Sequence, residues 1–363
     1  MSKQSILQRR KLLLTIGITI VIGLISLSLH RSFTRHQERQ QQREHNRRYK
    51  PRDLDLLVVA GSAKPEIIAE TKRLVTSVLL HASCPIHFHV VTGDGSANEL
   101  HDFFDELYFH NVHRSRMFSY EFKDLDREWA REEVSDLELN HHSSIYGYAK
   151  LLLHKIWPEV RTALYLDTDI IVTHDPCPYF LNLKKQMIEE KRSFAMAYRF
   201  DNATSMYPHF KYKCSGTMFF NFDRIRKHGL FDSVLRDVYK SLYPEGMPSK
   251  ELKGRKRHFL TGGDQDYFWM LTKKKRRHVL PISMSWSLEF CHDWHDFIIP
   301  TRQNTTKQLD SFGNEMFMGA LHLNCLGFND RPQLHEKYPE FQRIIDFYSV
   351  MDPFILSEMI KNT

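Results

Sequence analysis

The sequence has few cysteines and no glycine-rich nucleotide loop. Its 363 residues include five cysteines, and no two of them form a C-x-x-C pair, which disfavours a zinc site built on that spacing. G-x-x-x-x-G-K-[ST] and G-x-G-x-x-G are also absent, which disfavours P-loop hydrolases and dinucleotide-dependent dehydrogenases. In an oxidising compartment one or two disulfides could form, but their pairing cannot be predicted from the spacing.

Acidic residues are scarce in the first part of the chain. Residues 1–52 hold 12 of the 51 Lys and Arg but only two of the 44 Asp and Glu, so residues 53–363 are slightly acidic overall. A nucleic-acid-binding domain would carry its basic surface on the folded part. No nucleic-acid partner is therefore expected, although the net charge is +7.

A single long run without charge occurs near the start, at Leu12–Leu29. Its 18 residues are near the lower limit for a membrane helix and exceed a signal-peptide core. We predict an uncleaved signal anchor; a cleaved signal peptide is the alternative. Basic residues flank both sides, so the positive-inside rule gives no orientation. Sequons at Asn202 and Asn304 favour a luminal C-terminal domain.

These features predict a single-pass type II protein of the ER or Golgi membrane. Residues 1–11 form its cytoplasmic tail, 12–29 the membrane helix, 30–52 a solvated stem and 53–363 the luminal domain. The stem is rich in Gln, Arg and His and has no apolar periodicity.

The luminal domain alternates strand and helix patterns. Strands are predicted at Asp55–Ala60, Ile86–Thr92, Phe194–Tyr198, Gly216–Phe222 and Val279–Ile282, and helices at Pro65–Ala82, Ser96–Tyr108 and Ser143–Trp157. The pattern indicates an α/β fold with a mostly parallel central sheet, helices on both faces and a Rossmann-like N-terminal half.

The apolar run Thr162–Val172, TALYLDTDIIV, predicts a buried strand that carries two aspartates where it ends, at the carboxyl end where ligands of such sheets bind. An unpaired carboxylate in such a place is costly. Asp167 and Asp169 are two residues apart, so on a strand both would point to one side, which suits a divalent cation with oxygen ligands. A helix cap or a salt-bridged pair is the alternative.

Two later motifs carry chemistry suited to the same site. Gly262-Gly263 lets the backbone approach a ligand, and Asp264 and Gln265 then open a helix with groups that hold sugar hydroxyls; a plain helix N-cap by Asp264 is the alternative. His322 follows an apolar run and offers a nitrogen ligand that suits Mn²⁺.

In order and spacing, these motifs resemble the retaining glycosyltransferases of family 8, which have the GT-A fold, and most of all the glucoside xylosyltransferases. The matching segments run from about Leu54 to about Tyr348 and include VVAG, IHFHVVT, LYLDTDIIV, CSGTMFFN, GGDQD, PISMSW and HLNCLGFND. The resemblance implies an enzyme that transfers a sugar, with UDP-xylose as donor, to a glycoprotein acceptor such as O-linked glucose on extracellular repeats.

The resemblance also implies roles for individual residues. Asp167, Asp169 and His322 would bind Mn²⁺ and, through it, the diphosphate, while Lys150, Asp264 and Gln265 would be the catalytic residues. The other residues expected to contact the nucleotide sugar are Ala60, Gly61, Ser215, Gly216, Asn324 and Gly327.

At three positions the chain departs from the family pattern. Cys214 replaces an asparagine, Lys150 replaces an arginine, and Leu326 stands where a basic residue would contact the diphosphate, a contact that Arg331 or the run Lys273–Arg277 could supply. Two alternatives therefore stay open: a family 8 glucosyl- or galactosyltransferase, and a non-catalytic luminal carbohydrate-binding relative.

Aromatic residues after the strand Val279–Ile282 predict an acceptor surface. Trp286, Phe290, His292 and Trp294 cluster there, and aromatic faces stack on sugars. The alternative is that they are core residues.

Overall fold

The computed structural model describes residues 53–62, 64–93, 95–110, 118–134, 144–198, 213–232, 264–289, 319–323 and 339–349. No helix within these ranges is both long and apolar enough to span a membrane. The predicted tail, anchor and stem and both sequons lie outside the described residues and stay predictions.

Strands account for the centre of the described domain. They are β1 (Leu54–Ala60), β2 (Ile86–Thr92), β3 (Phe118–Asp124), β4 (Thr162–Leu166), β5 (Ile170–Val172), β6 (Phe194–Tyr198), β7 (Lys213–Asn221), β8 (Val279–Ile282), β9 (Leu288–Glu289) and β10 (Ala320–His322).

Helices cover the strands. They are α1 (Pro65–His81), α2 (Ala97–His110), α3 (Arg127–Glu133), α4 (Ser144–Ile156), α5 (Cys177–Glu189), α6 (Phe222–His228), α7 (Asp264–Lys274) and α8 (Pro339–Ser349), with short 3₁₀ turns at Arg276–His278 and Met284–Trp286. Helix α7 begins at Asp264, as the sequence predicts.

Seven strands form the main sheet, in the order β3-β2-β1-β4-β7-β6-β8. Strands β1 to β4 are parallel, and β7 runs antiparallel to both of its neighbours, β4 and β6. The chain first adds strands on one side of β1 and then returns to place β4 on the other side. Ligands of open α/β sheets bind beyond the carboxyl ends of the strands at such a reversal.

Side-chain alternation along the strands divides the core into two layers. Leu56 of β1 and Phe88 of β2 pack in the layer covered by α1, α2 and α5, whereas Leu57 and Val91 pack in the layer covered by α4, α6 and α7. The predicted α/β fold, with helices on both faces of a mostly parallel sheet and a Rossmann-like N-terminal half, is confirmed.

A second sheet of three strands has the order β5-β10-β9, and β5 follows the turn that carries Asp167 and Asp169, called the aspartate turn below. Strand β10 pairs antiparallel with β5, so that His322 is opposite Ile170. This pairing joins the segment around residue 170 to one that is far away in sequence.

A disulfide connects Cys84, which precedes β2, to Cys177, the first residue of α5. Both cysteines are buried in the core layer beneath α1, α2 and α5. The bond is one of the pairings that the sequence left open.

Replacing both Cys84 and Cys177 with serine is expected to lower the free energy of unfolding by about 2–5 kcal/mol, because the bond closes a long loop in the unfolded chain. The two cysteines are 93 residues apart. Urea unfolding without reductant measures the difference. The exposed neighbour Ser83 supplies the control: Ser83→Ala should change stability by less than about 0.5 kcal/mol. An unchanged midpoint in the double variant would contradict a stabilising crosslink.

Candidate active site

Asp167 and Asp169 lie in the turn between β4 and β5, at the carboxyl end of β4. The amide of Asp167 donates to the carbonyl of Gly216 at 2.8 Å, and the amide of Ile170 donates back to the carbonyl of Asp167 at 3.2 Å. The first bond continues the pairing of β4 with β7, and the second turns the chain and ends β4. The prediction of one continuous strand over 162–172 is therefore wrong, although both carboxylates still reach one site.

His322 reaches this turn through the pairing of β10 with β5. The amide of Leu323 donates to the carbonyl of Asp169 at 3.0 Å, which fixes the register. His322 Nε2 then lies 3.2 Å from Asp169 Oδ1 and 3.7 Å from Asp167 Oδ2. The imidazole is buried, while both carboxylates are partly exposed.

These three side chains fit a divalent cation. One ligand atom of each lies within 4.8 Å of the others. Neighbouring ligands of a six-coordinate ion with bonds of about 2.1 Å are about 3 Å apart, close to the separations seen here. Two carboxylates and one imidazole form a mixed oxygen and nitrogen donor set that suits such an ion.

The position of His322 depends on a glycine. A Cβ atom added at Gly216 would lie 2.3 Å from Cε1 of His322 and 2.8 Å from its Nε2. Any larger residue at this point of β7 would therefore displace the imidazole. Gly216, which the resemblance implied as a contact of the nucleotide sugar, here makes room for a candidate metal ligand.

Lys150 of α4 joins the turn to the start of α7. Its Nζ lies 2.9 Å from Asp167 Oδ1 and 2.9 Å from Asp264 Oδ2. The Ser215 hydroxyl, in β7, donates to Asp264 Oδ2 at 2.8 Å. The ammonium and the Asp264 carboxylate are almost fully buried, so each depends on the other for its charge partner.

The electrostatics of the site keep Lys150 charged. Burial lowers the pKa of the Lys150 ammonium, but the charges of Asp167 and Asp264 outweigh burial and raise its pKa above the ordinary value. Burial raises the pKa of Asp167 by more than Lys150 lowers it. Burial also raises the pKa of Asp169, but the charge and hydrogen bond of His322 together with the charge of Lys150 outweigh burial, and the pKa falls. Lys150 can therefore supply a fixed positive charge, but it is not suited to act as a base.

Two tyrosines of the site were not anticipated from sequence. The Tyr165 hydroxyl donates to Asp167 Oδ1 at 2.5 Å, and burial, reinforced by the charge of Asp167, raises the pKa of that hydroxyl well above its usual value. The second is Tyr146, whose ring would collide with a Cβ atom at Gly61 or Gly93. Spacing carried a signal for both, because Tyr165 precedes Asp167 by two strand positions and Tyr146 precedes Lys150 by one helical turn.

The remaining predicted site residues divide into two groups. Ala60 and Gly61 are buried at the carboxyl end of β1, and Gln265 is half-buried next to Asp264. Gly262, Gly263, Asn324, Leu326, Gly327 and Arg331 lie outside the described residues.

Trp286 does not form an acceptor surface. It is 2% exposed, and its ring stacks on Tyr179 and meets the edge of Phe180. For this residue the alternative of a core aromatic is correct. Phe290, His292 and Trp294 lie outside the described residues.

A protein-family model described as glycosyl transferase family 8 matches residues 58–307 of this chain. This range covers more than half of the sequence. It contains the last three residues of β1, the aspartate turn, β7 and the start of α7, but not His322.

The related proteins match over a shorter stretch. The xylosyl- and glucuronyltransferase LARGE1 of Danio rerio is 36% identical over 103 residues, which are 28% of this chain and 12% of that protein. LARGE1 of Homo sapiens is 34% identical over 103 residues, 28% of this chain and 13% of that protein. The matched stretch is therefore only a small part of each relative's length.

Solved structures share the fold. Mouse xyloside xylosyltransferase 1 in its apo form has a TM-score of 0.52 at 16% identity, over 76% of this chain and 98% of that one. The glycosyltransferase GlyE of Streptococcus pneumoniae TIGR4 has a TM-score of 0.53 at 14% identity, over 85% and 63%. At these identities the likeness shows a GT-A type fold.

Gly216→Ala should weaken Mn²⁺ binding about tenfold or more, because a displaced metal ligand costs at least as much as a lost supporting contact. An EPR titration of the full-length protein measures the affinity. Gly229→Ala is the matched control: this glycine has a φ of +50° and nothing within 4 Å of a built Cβ, so its change should lower stability and leave Mn²⁺ affinity alone. Equal losses of affinity in the two variants would contradict the role of Gly216.

Lys150→Met should destabilise the metal-free protein by about 3–5 kcal/mol, because Asp264 loses the charge that compensates its burial. Lys150→Arg keeps that charge and should cost much less. Urea unfolding in EDTA compares the two variants with the unmodified chain. If methionine and arginine proved equally destabilising, side-chain shape rather than charge would be the reason.

Proposed function

The chain belongs to glycosyltransferase family 8, and from that premise we propose that it transfers xylose from UDP-xylose, with retention of configuration, to O-linked glucose on a glycoprotein. The observation that carries the proposal is the joined cluster at the carboxyl end of β4. There Asp167, Asp169 and His322 lie together, and Lys150 connects them to Asp264.

Asp167, Asp169 and His322 would hold Mn²⁺. When bound, the ion supplies a Lewis acid that neutralises the charge of the departing diphosphate. The turn leaves both carboxylates partly exposed, so a further ligand such as a diphosphate could reach the ion that they would hold.

Lys150 positions two of the carboxylates. Its ammonium holds Asp167 on one side and Asp264 on the other, and Ser215 completes the partners of Asp264. Asp264 and Gln265 begin α7, where they would orient the donor sugar. Lys150 and Ser215 both contact Oδ2 of Asp264, so this oxygen is poorly suited to serve as a nucleophile.

The transfer we propose needs no covalent enzyme intermediate. The acceptor hydroxyl oxygen forms a bond to the anomeric carbon on the face from which the diphosphate departs. The bond between that carbon and the phosphate oxygen breaks, its electron pair stays on the phosphate, and the phosphate takes up the acceptor proton. An inverted product in the NMR spectrum of the anomeric proton would refute this course.

Xylose is favoured over other sugars by likeness alone. The LARGE relatives are named for xylosyl and glucuronyl transfer, and the motif order resembles the glucoside xylosyltransferases. Transfer of glucose or galactose remains the principal alternative because it would use the same metal cluster. The fully assembled cluster and its charged partners speak against a non-catalytic carbohydrate-binding relative.

We place the protein in the ER or Golgi membrane as a type II protein. The uncharged run at residues 12–29 would anchor it. The disulfide between Cys84 and Cys177 suits an oxidising lumen.

A donor panel with the purified full-length chain tests the function. UDP release is followed with UDP-xylose, UDP-glucose, UDP-galactose and UDP-glucuronate, each with Mn²⁺, with EDTA and with the Asp169→Ala variant. We expect UDP-xylose to give the fastest turnover, with EDTA and Asp169→Ala each lowering it at least a hundredfold, because both remove the ion that stabilises the leaving group.

The outcomes separate the alternatives. Faster turnover with another UDP-sugar would support the enzyme class and contradict the proposal that UDP-xylose is the donor. Tight Mn²⁺-dependent UDP binding without turnover, even with glucosylated acceptor present, would favour the non-catalytic relative.

A further inference from the structure

A second group of metal-binding side-chain types lies on the main sheet, away from the aspartate turn. It consists of His87 and His89 of β2 and Glu121 of β3, and one ligand atom of each lies within 4.8 Å of the others. His89 precedes Thr92, the last residue of β2, by three positions, which places it roughly 10 Å back from the carboxyl edge of the sheet. The group is therefore separate from the proposed catalytic cluster.

Strand geometry explains why these residues meet. His87 and His89 are two positions apart, so both project from the same face of β2, the face that α4 covers. Their ring centroids are 4.3 Å apart, and the His89 ring lies 4.7 Å from that of Trp157, just after α4. The parallel register places Glu121 of β3 directly beside His89.

Each histidine is oriented by a polar neighbour. His89 Nε2 lies 2.9 Å from Asp55 Oδ1 of β1, and His87 Nδ1 lies 2.5 Å from the Ser119 hydroxyl of β3. A carboxylate on one imidazole nitrogen is the usual support of a histidine that binds metal through its other nitrogen. Here Asp55 occupies Nε2 of His89 and leaves Nδ1 for a ligand.

The unpartnered Nδ1 atom of His89 also points to a bound ligand. The His89 side chain is 2% exposed, and within the described residues this nitrogen has no hydrogen-bond partner. A buried polar atom without a partner lowers the free energy of unfolding, so a bound ligand that contacts it would offset this cost. A metal ion between the two strands would be such a ligand.

We propose that His87, His89 and Glu121 form a second metal site that binds Zn²⁺ and links β2 to β3. Two imidazoles and one carboxylate are a ligand set typical of zinc, whereas Mg²⁺ and Ca²⁺ prefer oxygen alone. Asp55 is a positioning residue of this site. Both histidines are buried, so we assign the ion a structural role. It stabilises the pairing of β2 with β3, the edge strand of the main sheet.

The experiment uses the full-length chain with Asp169→Ala, which removes the competing cation site. Metal-stripped protein is titrated with Zn²⁺, desalted and analysed by mass spectrometry for bound metal, while thermal unfolding is followed in parallel. We expect one Zn²⁺ per chain and a rise in the unfolding midpoint. Co²⁺ used in place of Zn²⁺ should give visible absorption bands that report the nitrogen and oxygen ligands.

Variants in the same background locate the ion. His89→Gln and Glu121→Gln should each weaken Zn²⁺ binding at least tenfold and remove the thermal shift, and Asp55→Asn should weaken it about tenfold through loss of support to His89. His174→Gln, at an exposed histidine, is the control and should bind as the background does. Glu121 is only partly buried, so its variant decides the matter even where His89→Gln fails to fold. Absence of zinc from the background protein, or equal binding by Glu121→Gln, would overturn the site.

Discussion

The buried ammonium of Lys150 is the interaction on which the arrangement of the site depends. Asp167, Asp169 and Asp264 converge at the carboxyl end of β4, where the charges of Asp169 and Asp264 raise the pKa of Asp167. Like charges that are buried close together repel each other strongly because the dielectric constant is low. Lys150 contacts two of the three and so offsets the repulsion. Because this charge is carried by α4, the packing of that helix on the sheet sets the positions of Asp167 and Asp264.

The antiparallel course of β7 is the second constraint. A parallel strand in its place would bring its amino end to the opposite edge of the sheet. Because β7 starts where β4 ends, Ser215 and Gly216 lie at the ligand-binding edge, with Leu166 opposite Thr217. Ser215 then supports Asp264, and the missing side chain of Gly216 leaves room for His322. The first half of the domain supplies a parallel sheet with a Rossmann-like strand order, and β7 adds the residues that complete this cluster.

The local sequence pattern predicted strands and helices whose apolar residues form a continuous run or recur at helical spacing. Strand β2 was predicted to the residue, and α4 to within one residue at each end. Strand β3, FSYEFKD, was missed although apolar and polar residues alternate along it, which is the pattern of a strand covered on one face. The break at Asp167 was missed for another reason: the apolar residues on both sides read as one strand, and the turn between them is held by the pairing of β4 with β7 and of β5 with β10, segments far along the chain. The pairing of Cys84 with Cys177 and the approach of His322 are likewise set by long-range packing that no local pattern records.

Each of the two candidate metal clusters contains a pair of residues two positions apart, His87 and His89 in one and Asp167 and Asp169 in the other, but the two pairs differ in their exposure to solvent. In β2 the strand continues through His87 and His89, so neighbouring strands and α4 enclose the pair, and whatever it binds is shielded from solvent. At Asp167 and Asp169 the chain turns away from the sheet, so the pair stays partly exposed and has room for a further ligand. Closed sites suit structural ions and open sites suit ions that must also hold a substrate. A pair of ligands within a strand therefore forms a closed site, as in β2, whereas a pair that follows the end of a strand forms an open site, as after β4.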